Sequence, residues 1–158
     1  MRKFLFSLLI LSCGFVDANS QPAQSLYFEL GGPGLASVNF DSRFSNKESG
    51  IGGRIGVGGF SVDGTSAFFI PIGINYILGK DDRNYFEFGG GVTPVIISDS
   101  YSDGSFTGTF GHLLFGYRMQ PINGGFTFRA FICPVFGEGG FIPYYGGVSF
   151  GYKFGGKK

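Results

Sequence analysis

A chain of 158 residues is the size of one domain, and 12 basic against 11 acidic residues leave no basic surplus to attract nucleic acid. Its 30 Gly, 21 Phe and 8 Tyr, with only 15% charged residues, suit strands packed at close quarters. They exclude a helical fold built on Ala, Leu, Glu and Lys.

Residues 1–20 read as an export signal that is cleaved. Arg2 and Lys3 precede an apolar run from Phe4 to Val16, and Ala18 and Ser20 have the spacing a signal peptidase reads. Cleavage is expected after Ser20, with Ala18 as the second choice. The run is shorter than the roughly 20 residues of a membrane-spanning helix. Cys13 loosely matches a lipoprotein signal, but Ile10 stands where that signal has Leu. Removing the segment takes away Arg2, Lys3 and Asp17, leaving ten charges of each sign. Cys133 then has no cysteine partner, so no disulfide framework is expected, and it reads as a small apolar packing residue.

The rest of the chain, 21–158, alternates with the period of a strand. In order, Val38 and Phe40 oppose Asn39, Asp41 and Arg43, and Ile51, Ile55 and Val57 oppose Arg54 and Gly56. Ile70, Ile72, Ile74 and Tyr76 oppose Pro71, Gly73 and Asn75; Phe86, Phe88 and Val92 oppose Glu87, Gly89, Gly91 and Thr93. Leu113, Phe115 and Tyr117 oppose Phe110, His112, Leu114 and Arg118, and Phe126, Phe128, Ala130 and Ile132 oppose Thr127, Arg129 and Cys133. The last segment sets Val148, Phe150, Tyr152 and Phe154 against Ser149 and Lys153. Segments of about 10 residues with this dyad pattern cross a bilayer on a tilt. A soluble sandwich would decorate its second parity with charge; here that parity is mostly glycine, which suits a narrow, crowded lumen.

Turn-forming residues separate the segments at 45–49, 61–66, 79–84, 98–105, 120–125 and 137–143. The Gly31-Gly32-Pro33-Gly34 stretch is either one more turn, giving about eight strands, or a bulge in a single long strand. The turn is preferred because an even count leaves both chain ends on one side of a membrane. That side would carry the connections at 45, 79 and 120, and the opposite, extracellular side those at 61, 98 and 137. The fold expected is an all-β, antiparallel up-and-down transmembrane β-barrel.

Eight charges fall on the inward parity: Glu29, Asp41 and Glu87 against Arg43, Arg54, Arg118, Arg129 and Lys153. A charge inside a narrow barrel must be paired or hydrated. They are expected to form a salt-bridged plug, with Glu87 and Arg129 as candidate partners, rather than to line a conducting path, since about eight strands leave room only for side chains. His112 is the one histidine and reads as a hydrogen-bonded filler. No Ser-His-Asp arrangement, metal-ligand cluster or nucleotide fingerprint in a strand-then-helix context is present, so no catalytic residue, metal or cofactor is assigned. On the same parity, Gly73 is expected to accept Ser far more readily than Ile72 accepts Arg.

These residues resemble small bacterial outer-membrane barrels of the OmpA and OmpX type, in the glycine- and aromatic-rich, porin-like form. The resemblance spans about Leu26 to Phe154. It is sharpest in the final strand, where Val148, Phe150, Tyr152 and Phe154 look like the assembly signal read by the barrel-insertion machinery; residues 155–158 beyond Phe154 depart from that signal. The resemblance implies export to the Gram-negative outer membrane, contact with its lipids, no nucleic acid, and a monomer with a structural or interaction role, not an enzyme. A narrow channel for small solutes is the alternative; a lipid-modifying enzyme and a soluble secreted β-protein are more distant ones.

Overall fold

The alternation builds one sheet that returns on itself. The protein is seen in a computed structural model that describes residues 22–79, 81–99 and 105–155. Its strands are β1 Gln24–Gly31, β2 Ala36–Arg43, β3 Gly50–Val62, β4 Thr65–Phe69, β5 Ile72–Leu78, β6 Asn84–Asp99, β7 Ser105–Met119, β8 Gly125–Ile132, β9 Val135–Gly137, β10 Gly140–Ile142 and β11 Gly146–Lys153. The expected export segment 1–20 lies outside the described residues, as does most of the 98–105 loop.

Three pairs of these strands are single staves interrupted where proline removes a ladder donor. Pro71 separates β4 from β5, Pro134 separates β8 from β9, and Pro143 falls between β10 and β11. The ladder survives on the acceptor side: Gly56 N donates to the Pro71 carbonyl and Leu113 N to that of Pro134, each at 2.9 Å. Eight antiparallel staves result, and β11 pairs with β1 from Ser25↔Lys153 to Gly31↔Gly147, closing the barrel. Gln24 and Lys153 mark what we call the proximal end; the β3–β4, β6–β7 and β9–β10 connections lie at the distal end.

The barrel is apolar outside and polar within. Outward residues stay exposed, such as Ile74 at 64% and Phe126 at 55%, whereas Asp41, Glu87, Arg118 and Arg129 are at 1% or less. Outward aromatics pair across strands: Phe128 and Phe150 are directly opposite, with ring centroids 5.4 Å apart. Inward glycines make room for longer neighbours. A Cβ at Gly52 would collide with the Arg43 guanidinium, and one at Gly151 with Tyr27.

The Gly31–Gly34 stretch is a turn rather than a bulge, formed as one 3-10 turn over Gly32–Gly34. Gly31 and Gly32 have φ of +77° and +66°, values that a Cβ disfavours. The turn does not stand up at the rim but folds into the lumen, with Gly32, Pro33 and Gly34 all buried. A Cβ on Gly32 would lie 2.7 Å from Glu29 Oε1 and 3.0 Å from the Phe131 ring, and one on Gly34 would lie 3.4 Å from Pro71.

Candidate functional site

The lumen is the candidate site, and it has two storeys divided by that inward turn. In the proximal storey, strand parity turns Ser25, Tyr27 and Glu29 of β1, Asn39, Asp41 and Arg43 of β2 and Arg54 of β3 inward. Asn75, Glu87, Arg118 and Arg129 face them from β5, β6, β7 and β8. Antiparallel register puts Asp41 opposite Arg54 and Arg118 opposite Arg129.

The hub is Asp41. It sits 2.9 Å from both Arg43 and Arg118 and 3.6 Å from Arg129. Glu87 lies 3.5 Å from both Arg118 and Arg129. Asn75 Nδ2 donates to Asp41 and to Glu87, each at 2.6 Å, and its Oδ1 accepts from Arg43, so one neutral amide ties two carboxylates to a guanidinium. Arg118 also donates to Gln120 Oε1 at 2.7 Å. Arg54 of β3 pairs with Glu29 of β1 at 2.9 Å across β2, and Arg129 packs over the Tyr27 ring, 3.9 Å from its centroid. Arg129 is within ion-pair reach of both carboxylates, yet its Nε, Nη1 and Nη2 have no hydrogen-bond partner among the described residues.

Seven of the eight inward charges therefore meet in this storey. Lys153 does not join them: it lies at the proximal mouth, donating to Glu48 and to the carbonyls of Pro121 at 3.1 Å and Ile122 at 2.6 Å. Glu48, read from sequence only as one of the turn-forming residues 45–49, folds under the barrel and also accepts from Gln120 Nε2 at 3.1 Å. Three carboxylates and five cations were legible; Glu48 adds a fourth carboxylate, leaving one positive charge in excess within this set.

Above the network, His112 is buried and shares a 3.3 Å hydrogen bond with Thr93 Oγ1. Beside it Leu114, Phe131 and Cys133 form an apolar cluster, with Cys133 a free, fully buried thiol. No group of three or more His, Cys, Asp or Glu placed to hold a metal occurs among the described residues.

The distal storey is apolar. Ala67, Phe69 and Val95 form a buried cluster against Ile97 and Phe110, all on the inward parity, around a cavity of about 480 Å³. Sequence reasoning placed Phe110 on the inward parity but passed over the others, because its list of inward candidates followed charge. Phe68 shares the outward parity of Ile70 and Ile72 and is exposed, which leaves Phe69 to enter the lumen.

No family model matches this chain, and no curated protein matches it. Among solved structures, 87% of the chain aligns with all of the N-terminal β-barrel domain of Pseudomonas aeruginosa OprF, at 13% identity and a TM-score of 0.63. The attachment invasion locus protein Ail of Yersinia pestis aligns over 84% of this chain and 96% of its own, at 13% identity and a TM-score of 0.48. The likeness to the OprF domain is one of fold: the chain is a closed eight-stranded antiparallel barrel of that kind.

Proposed function

We propose that this chain is a monomeric outer-membrane barrel, exported by cleavage after Ser20, whose lumen is closed by paired charges and whose role is structural or interactive. In this reading the outer apolar face meets lipid, the distal hairpins face outward from the cell, and the barrel-insertion machinery takes hold of the final strand through Val148, Phe150, Tyr152 and Phe154. No catalytic role is assigned: the one histidine is buried, with its Nδ1 bonded to Thr93 Oγ1.

One observation carries the reading: eight ionisable side chains at 4% exposure or less lie inside a wall whose outer face is apolar. Water would favour the reverse arrangement; hydrocarbon favours this one. Within the lumen every carboxylate of the network contacts a guanidinium, which suits closure rather than conduction.

The test is cell fractionation combined with gel mobility in detergent before and after heating. An outer-membrane protein whose unheated form migrates differently is expected. A soluble protein with no heat-dependent shift would contradict the reading.

A further inference from the structure

We propose that the distal cavity binds one hydrocarbon chain of a membrane amphiphile, admitted sideways from the lipid; this rests on the membrane-seated barrel above. The cavity, at about 480 Å³, has the size of a small-molecule site. Among the described residues that line it, the one charged side chain is Glu138, in the exposed β9–β10 turn. Besides Glu138, only Thr109 and Tyr145 bring polar side-chain atoms to the lining, too few to replace a polar ligand's hydrogen bonds to water, whereas an alkyl chain would lose none.

The wall beside the cavity has a gap, and register explains it. β1 ends at Gly31, and the β2–β3 pairing stops at Ser37↔Gly58. Beyond that level the far part of β3 pairs only with β4, and β10 pairs only with β9. Above the inward-folded turn, then, β3 and β10 face each other across an unpaired notch. Leu35 at its base, Phe60 on the β3 side and Ile142 on the β10 side all line the cavity and are all exposed. The side chains named along the path from outer face to cavity are thus all apolar.

The floor is closed. Gly32 and Pro33 line the cavity from below, and Glu29 lies directly under Gly32. A chain that enters tail-first meets the turn and stops, its headgroup left at the notch. The site is an acyl pocket and not a passage.

The probe is 16-doxyl-stearic acid added to the protein in phospholipid nanodiscs, read by paramagnetic broadening of valine methyl signals. Val57 and Val92 face outward and report the membrane seat; Val95 and Val135 report the cavity. Broadening of all four is expected. Broadening of Val57 and Val92 alone would overturn the pocket while leaving the barrel in lipid, and broadening of none would overturn both. Ala67→Phe, which fills the cavity, is expected to abolish the effect at Val95 and Val135 only; full retention would overturn the proposal. Should that variant not fold, Ile142→Glu at the exposed mouth is expected to give the same loss, with retention counting equally against the pocket. Broadening of Val95 by a water-soluble gadolinium chelate would instead mark a water-filled vestibule and overturn it.

Discussion

Asp41 shows why a lumenal charge here is tolerated only in company: three guanidiniums and an amide surround it, and removing the carboxylate would take a shared partner from all of them. Breaking a buried pair from one side typically costs about 3–5 kcal/mol. Glu87→Gln and Arg129→Met are each expected to destabilise on that scale in denaturant unfolding from detergent micelles. The double variant should cost less than their sum; strict additivity would mean the 3.5 Å approach carries no coupling. Which face each of these residues takes was legible, because period-two alternation fixes parity. Depth was not, since the stagger between strands sets height and no single strand encodes it. Hence Asn75 was placed on the inward parity without its partners, and Ser25, Gln120 and Glu48, which also bond to the charged residues, went unread: their polarity marks them for water as readily as for a lumen. The same limit corrects the expectation for Gly73. Its missing Cβ would lie 2.8 Å from the Gly90 carbonyl, so Gly73→Ser is strained despite its inward, polar-tolerant face. Ser149→Ala is the sounder inward control, because that hydroxyl is buried without a partner. Against it, Ile72→Arg on the outer face near the midplane should cost roughly 2–4 kcal/mol more.

Among the elements, the β1–β2 turn does more than reverse the chain. The Gly-Gly-Pro-Gly stretch announced a turn, and strand parity favoured it over a bulge; nothing in the four residues said that it would fold inward and divide the lumen. That follows from its surroundings, where Pro71 and the Phe131 ring receive it. Gly32→Ala combines a left-handed φ with contacts at 2.7 and 3.0 Å, and is expected to cost about 2 kcal/mol or more. Gly139→Ala, in the distal β9–β10 turn with open space around it, is expected to stay within about 0.5 kcal/mol of wild type. Unfolding midpoints of the two variants check the pair, and equal effects would mean that the turn is not confined. On the proximal side, the β5–β6 turn is organised by Asp81, which accepts from the Asn84 side chain at 2.5 Å and its backbone N at 2.6 Å. These bonds hold its carboxyl below the usual range. The order they confer is therefore present above the ordinary carboxylate pKa and lost as pH falls through the lowered one. The protection factor of the Asn84 amide, its exchange rate taken relative to the intrinsic rate at each pH, should fall in acid accordingly.

For the whole molecule, the two storeys make opposite demands: a crowded ionic base with Lys153 and Glu48 paired at its mouth, and an apolar upper chamber with a notch in its wall. Strand parity places the β6–β7 loop at the distal end. A tag inserted at Asp103 is expected to be labelled on intact cells, and labelling only after permeabilisation would invert the orientation. The central claim is that the ionic storey closes the barrel to bulk solute. Single-channel recording of the purified monomer in planar bilayers tests it most directly. No steady conductance of porin size is expected from the wild-type protein, whereas a stable, large-conductance state from the folded monomer would contradict the closed lumen.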